Sequence, residues 1–250
     1  MPKSMRLDKY LKEMRVATRS EAHTLIHDGH VVVNEVVAKQ GRQPIDPAVD
    51  TVLVGGQPVV YQRHFYFLMN KPVAVVTATT DKTTQTVMDL FNNNDYRDDL
   101  FPVGRLDKDT TGALLITNDG ELGHRLTNPK HHVDKVYRAL ITGTLTAEDV
   151  TSVATGITLK DGTVLKPADL VLGDYDPVLN QTTIQLTLTE GKYHQVKRMI
   201  GSLGQRVVSL ERLSFGPLKL SVGLLAGQYR ALSEREVSDL KTAAGLTENK

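Results

Sequence analysis

The sequence predicts an α+β protein in two parts: two short helices with a small β unit, then a larger domain whose mixed, largely antiparallel sheet is flanked by helices. Three observations predict this. Strand-like segments outnumber helical ones in the second part. No regular crossover helices separate them, as a doubly wound nucleotide fold requires. A short polar stretch divides the two parts. The expected boundaries are 1–60 for the first domain, 61–64 for a linker, 65–243 for the second domain and 244–250 for a C-terminal tail.

Arg6 to Met14 reads as an amphipathic helix, with Leu7, Tyr10, Leu11 and Met14 on its apolar stripe. Thr18-Arg19-Ser20-Glu21 has capping-box spacing, so a second helix starts near Arg19 and ends at Asp28-Gly29. Val31 to Ala38 reads as a β-hairpin turning at Asn34-Glu35, and Thr51 to Val54 as a strand entering a Gly55-Gly56 turn. In the second domain Phe65 to Met69 is an apolar strand broken by a polar turn at Asn70-Lys71-Pro72, with β character resuming over Val73 to Val76. Val87 to Phe91 is a short helix, and Ala113 to Ile116 is a buried strand. The helix from Gly120 stops at Asn128-Pro129. A strand over Val133 to Ile141, a helix over Thr146 to Val153, and strands over Thr163 to Val171 and Gln181 to Thr189 come next. His194 to Leu203 is a helix, because Val196, Met199, Ile200 and Leu203 recur at i, i+3, i+4 and i+7. Strands over Val207 to Leu210 and Gly227 to Leu232 precede a final helix that Ser233 caps and that runs to about Thr242.

Composition narrows the function. The 250 residues include no cysteine, which excludes disulfides and thiolate metal sites. No run approaches the roughly 18 apolar residues of a membrane helix. The basic N-terminus lacks the apolar core of a secretory signal, so a cytoplasmic protein is expected. A net charge of +1 is uninformative, but its distribution is not: Lys3, Arg6, Lys9, Lys12, Arg15 and Arg19 face only Asp8 and Glu13 near the N-terminus. Basic groups concentrated in this way fit a nucleic-acid partner. The absence of tryptophan argues against a long base-stacking platform. His23 and His27 have i, i+4 spacing but no acid to complete a zinc signature, and no metal site is expected.

Gly104-Arg105-Leu106-Asp107-Lys108-Asp109-Thr110-Thr111-Gly112 is a charged loop entering the buried Ala113 to Ile116 strand, a place where folds support reactive side chains. If Phe101 to Asp107 is extended, Val103, Arg105 and Asp107 share a face, and Arg105 can keep the Asp107 carboxylate charged. The loop alone leaves two readings open, a turn organised by Asp107 and Asp109 or a reactive carboxylate. A calcium loop fails at its twelfth position, where Asn118 stands instead of a bidentate Glu. Phosphate-binding glycine motifs and hydrolase signatures are missing. What survives is one carboxylate among bases, with no cofactor required.

The first part resembles the S4 RNA-binding domain in Arg6-Leu7-Asp8-Lys9-Tyr10-Leu11, Thr18-Arg19-Ser20-Glu21-Ala22 and Asp28-Gly29-His30-Val31-Val32-Val33-Asn34. It departs at Asn34-Glu35, where that family commonly has Asn-Gly. The resemblance implies that Arg6, Lys9, Lys12, Arg15 and Arg19 meet RNA phosphates, contacts that give affinity with little sequence information.

Nearly the whole chain resembles the bacterial ribosomal-RNA pseudouridine synthases. Asn70-Lys71-Pro72, the Gly104 to Gly112 loop, Lys135-Val136-Tyr137 and Glu190-Gly191-Lys192-Tyr193-His194-Gln195-Val196-Lys197-Arg198-Met199 occur in that family's order. The resemblance implies that Asp107 is the essential catalytic residue, that Arg105 and Lys197 keep it charged and that Tyr137 sits against the target base. It implies that Lys192, Arg198 and Arg206, with Lys197, line the phosphate path, while Asn70-Lys71-Pro72 is structural. Such an enzyme breaks the C1′–N1 bond of a flipped-out uridine, turns the uracil and joins C5 to C1′. The carboxylate either attacks C1′ or removes the sugar's 2′ proton. The Tyr-His-Gln wording is nearest the small-subunit (16S) branch, since large-subunit branches more often carry Asn-Arg there. The partner implied is 16S ribosomal RNA in a small-subunit assembly intermediate, met by a monomeric chain away from any membrane. Two other readings stay open: a non-catalytic RNA-binding or ribosome-assembly factor, and the same reaction on 23S RNA.

Overall fold

The computed structural model describes residues 4–246, so Lys3 and the last four positions of the expected tail lie outside the described residues. The chain divides into two compact units, Met1–Arg63 and His64–Lys250.

The N-terminal unit runs β1 (Met5–Arg6), α1 (Leu7–Glu13), α2 (Arg19–His27), β2 (Val31–Val33), β3 (Val36–Val37), β4 (Pro44–Ile45), β5 (Val52–Val54) and β6 (Gln57–Val59). The expected capping box forms: the Thr18 hydroxyl accepts from the Glu21 N–H, and the Glu21 carboxylate accepts from the Thr18 N–H at 2.7 Å. Four of the strands make an antiparallel sheet in the order β3-β2-β5-β6, while β1 pairs with β4. The β2–β3 turn places Asn34 at φ 49 and Glu35 at φ 68, so Glu35 holds a left-handed position that favours glycine. Leu7, Tyr10 and Leu11 of α1 meet Ala22, Ile26, Val31 and Val33 in the core. The expected linker begins as part of this unit. Tyr61 donates to Glu13 at 2.9 Å, and its ring centroid lies 5.5 Å from that of Tyr10.

The second unit contains β7 (Tyr66–Lys71), a 3-10 turn (Val87–Leu90), β8 (Phe101–Val103), β9 (Thr110–Thr117), α3 (Gly120–Thr127), β10 (Lys135–Thr142), α4 (Ala147–Thr155), β11 (Asp169–Asp176), β12 (Gln181–Leu188), α5 (Gln195–Ser202), β13 (Val207–Phe215), β14 (Leu218–Lys219), β15 (Tyr229–Ala231) and α6 (Glu234–Ala243). Nine strands form one sheet along the path β11-β12-β10-β13-β9-β7-β15, with β14 on β13 and β8 on β9. The β9–β13 pair is parallel and the other pairs of this sheet are antiparallel. Central β9 is buried on both faces, which explains its unbroken apolar run: Leu114 and Ile116 enter one core, Ala113 and Leu115 the other. α4, α5 and the 3-10 turn cover the first face. α3 and α6 cover the second.

Three expected elements differ. No turn breaks β7 at Asn70-Lys71, because both residues pair with β9 and Lys71 is fully buried. Val73 and Ala74 form a turn, with Ala74 at φ 66, and Val76 makes an isolated bridge to Thr86 outside the sheet. The strand expected over Thr163 to Val171 starts at Asp169, since its first half is irregular and pinned by bonds such as Lys166 N–H to Glu190 at 3.0 Å. At the C-terminus Ala244 belongs to the core cluster, so the first residue of the expected tail is packed.

Gly112 shows why the charged loop ends in glycine. Its φ is +106, and a Cβ there would lie 2.2 Å from the Arg212 carbonyl oxygen. Only glycine lets β9 approach β13 at that point.

Candidate active site

Parallel pairing of β9 and β13 puts whatever precedes each strand at the same end of the sheet. Asp107 and Asp109 stand just before β9, and α5 with Lys197 stands before β13. Tyr137 enters from β10, opposite Arg212 of β13. Asp107, Arg105, Tyr137, Lys192, His194 and Lys197 line one cleft, whose apolar wall includes Leu106, Leu188 and Leu210.

Lys197 Nζ lies 3.0 Å from Asp107 Oδ2 and donates to Asp109 Oδ1 at 2.6 Å. Burial pulls the Lys197 ammonium down, but hydrogen bonds and charge from Asp109 and Asp107 outweigh it and hold it above the ordinary lysine range. The Lys197 hydrogen bond, working against partial burial, holds the Asp109 carboxyl below its ordinary range. His194 Nε2 lies 3.4 Å from the other Asp107 oxygen, Oδ1.

The loop backbone is clamped from behind. Lys71 Nζ donates to the carbonyls of Pro72 and Thr110 at 2.9 Å each, and reaches Lys108 O at 3.5 Å. Thr77 Oγ1 donates to Leu106 O at 2.7 Å and accepts from Leu106 N–H at 3.2 Å. Ala74 N–H donates to Lys108 O at 2.9 Å, and Thr110 N–H to Asp107 O at 3.1 Å. Burial outweighs the two nearby carboxylates and pushes the Lys71 pKa down to about 8. The expectation that Asn70-Lys71-Pro72 is structural fits this clamp. The sequence did not assign it to Lys71 or Thr77, although a lone lysine ending the inward face of Phe67 and Met69 was a usable signal.

The remaining expected site residues divide. Tyr137, 8% exposed, belongs to the core cluster and also lines the cleft. Arg105 lines the cleft but does not pair with Asp107: the strand ends at Val103, and Gly104 at φ +72 breaks the alternation that would have put both on one face. Lys197, expected beside Asp107 together with Arg105, lies there, and His194 stands where Arg105 was expected. Lys192 lines the cleft, lies 3.7 Å from Glu190 and donates to Val164 O. Arg198 is turned away into an ion pair with Asp161 and a 3.2 Å bond to Thr163. Arg206 is exposed at the far end of β10, beside Thr142, about 16 Å of strand from Tyr137.

In the N-terminal unit Arg6 and Arg19 surround the fully buried Asp8 at 2.5 and 4.0 Å, with His23 at 3.6 Å. Burial pushes the Asp8 carboxyl up, but the Arg6 hydrogen bonds and charge, with Lys9 N–H and Arg19, outweigh it and leave it below its ordinary range. Lys9 lies 3.5 Å from Glu13, Lys12 is exposed, and Arg15 is exposed at φ 56. A groove of about 590 Å³ is lined by Arg6, His23, His27, Lys39 and Arg42. Lys39 and Arg42 escaped the sequence reading because they lie outside the N-terminal basic run. Among the described residues no cluster of His, Asp and Glu is placed to hold a metal ion, and no helix is long and apolar enough to cross a membrane.

Residues 65–202 match the family model described as RNA pseudouridylate synthase, and residues 5–48 match the S4 domain. The ribosomal small subunit pseudouridine synthase A of Vibrio cholerae is 39% identical, over 94% of this chain and 99% of its own. The ribosomal large subunit pseudouridine synthase B of Bacillus subtilis is 37% identical over 98% of both chains. A crystal structure titled pseudouridylate synthase superposes with a TM-score of 0.64 at 34% identity, covering 94% of this chain and 99% of that one. With more than half of its length matched by the family model, and relatives that align from end to end, this chain belongs to the RNA pseudouridylate synthase family.

Proposed function

We propose that the chain isomerises a uridine of 16S ribosomal RNA to pseudouridine, with Asp107 as the reacting carboxylate. The observation that carries the reaction is the meeting of Asp107 and Lys197 at 3.0 Å in the cleft that Tyr137 lines. The reaction separates charge at C1′ and then needs a base, and a carboxylate fixed on a clamped loop supplies either a nucleophile or that base. Lys197 holds one oxygen, and the other lies 3.4 Å from His194 Nε2. The target uridine leaves its stack to enter, and the Tyr137 ring with the Leu106, Leu188 and Leu210 walls receives the apolar faces of the base. Arg105, whose side chain makes no ion pair or hydrogen bond among the described residues, and Lys192 serve the flanking phosphates.

Relatives acting on either ribosomal subunit match at similar identity, so overall similarity does not choose the RNA. The choice of 16S rests on Tyr193-His194-Gln195, the small-subunit wording. The exposed basic groups of the N-terminal unit, Arg6, Lys9, Lys12, Arg15 and Arg19 together with Lys39 and Arg42, supply sequence-independent affinity for a folded small-subunit precursor in the cytoplasm.

The test uses 16S and 23S transcripts carrying tritium at uridine C5, since joining C5 to C1′ expels that hydrogen. Wild type releases tritium from 16S RNA and Asp107→Asn releases none. Release from 23S alone corrects the substrate, and no release from either RNA sinks the reading.

A further inference from the structure

His194 has two features that a helix-capping residue would not need. It is the N-cap of α5 but makes no side-chain cap, and it holds the left-handed conformation, φ 48 and ψ 37, which is uncommon outside glycine. Strain of this kind persists only where the surroundings impose it. Here they do: Glu190, 4% exposed, accepts from Gln195 Nε2 at 2.8 Å, and Gln195 Oε1 accepts from Lys192 N–H at 2.8 Å. The Tyr193 ring stacks on the imidazole at 3.8 Å between centroids and 19° between planes. The product of these constraints is an imidazole whose Nε2 faces Asp107 Oδ1 at 3.4 Å, with about a third of the side chain open to solvent.

We propose that His194 carries away the proton that the substrate loses from C5. This rests on the proposed reaction. Once C5 is bonded to C1′ it is tetrahedral and still bears its hydrogen. The C5–H bond then breaks, its electron pair forms the C5–C6 double bond as the C6–N1 π pair returns to N1, and the proton passes to Asp107 Oδ1, then to an unprotonated Nε2 of His194, then to water. N1, which left C1′ with the glycosidic electron pair, takes one proton from solvent, so the isomerisation balances. The step is the same whether Asp107 first attacked C1′ or removed the 2′ proton, because Asp107 is a free carboxylate again by this stage.

The charged and titratable groups around the imidazole single it out. Asp107 and Asp109 face it from the loop, Lys197 from its own helix, and Arg105, Lys192 and Tyr137 share the cleft. Lys197 is kept protonated between two carboxylates and cannot accept a proton. Arginine does not deprotonate, and Lys192 is tied to Glu190 and the Val164 carbonyl. Among these side chains only histidine ordinarily titrates between pH 5 and 8.

Single-turnover tritium release, measured beside RNA affinity, tests the proposal. His194→Gln should slow release about 100-fold with unchanged RNA affinity, and should flatten the fall in rate on acidification that a histidine relay gives wild type. His194→Gly, which suits the left-handed backbone, should be slow alone and regain rate when imidazole is added. C5 deuteration should slow the Gln variant more than wild type. A Gln variant with wild-type rate and acid limb overturns the proposal, as does slow release that follows lost affinity and resists imidazole. Failure of wild type itself to release tritium strikes the proposed reaction instead, which keeps the two separable.

Discussion

Asp107 and Lys197 meet at 3.0 Å because the strands that follow them, β9 and β13, run parallel. In an antiparallel pair the segments preceding the two strands would lie at opposite ends of the sheet. One parallel pairing in an otherwise antiparallel sheet is thus what assembles the site.

The same contact predicts the behaviour of Lys197 variants. Lys197→Met leaves two carboxylates facing each other without a shared cation, and the freed Asp107 side chain loses its fixed position. Tritium release should fall about 100-fold, the scale of a roughly 1 Å misplacement. Lys197→Arg, keeping the charge, should recover part of the rate. Equal rates for Met and Arg would show that charge at this position is irrelevant.

Lys71 should matter more to stability than its exposed neighbours do. Lys71→Met strands carbonyls that now accept from its ammonium, at a cost of about 2–4 kcal/mol. The pH dependence has a definite sign. The folded value is about 8 and the unfolded value near 10.4, so between them the unfolded chain binds more protons and the contribution of Lys71 to stability rises with pH. Urea titrations should show the margin of wild type over Lys71→Met widening from about pH 8 to about pH 10. A margin that narrows contradicts the burial argument.

The groove in the N-terminal unit gives a cleaner RNA-binding test than Arg6. Arg6→Ala would strand buried Asp8 and destabilise the unit. Lys39→Ala with Arg42→Ala removes two exposed cations from the same groove. RNA affinity should drop, and the slope of its logarithm against log salt should flatten by about 1.5. An unchanged slope would remove the groove from the binding surface.

Glu35 occupies a left-handed turn position that costs a side chain about 1–2 kcal/mol. Glu35→Gly should therefore stabilise the N-terminal unit by about 1 kcal/mol, read as a higher denaturant midpoint. A lower midpoint would mean that the carboxylate has a structural role there.

Local chemistry determined much of this protein. Thr18 with Glu21, Thr146 with Asp149 and Ser233 with Glu236 cap their helices because capping needs only residues three apart. The apolar run before Thr117 and the spacing of Val196, Met199 and Ile200 placed a central strand and a helix, because burial leaves a period in the sequence. The motif around Asp107 marked the carboxylate, and the basic residue after His194-Gln195-Val196 marked its partner. Tertiary structure decided the rest. Gly104 at φ +72 took Arg105 off the face of Asp107, a backbone choice that an alternating pattern does not reveal. Lys71 reads as a turn residue until β9 pairs with β7 and buries it. Arg198 belongs to Asp161 because the irregular segment before β11 folds back to it. His194 reached Asp107 only through an αL backbone fixed by Glu190 and Gln195. Sequence records what each residue prefers over a few positions. Which side chains meet across the sheet depends on strand direction and on where the backbone turns, and both are set by the packing of the whole domain.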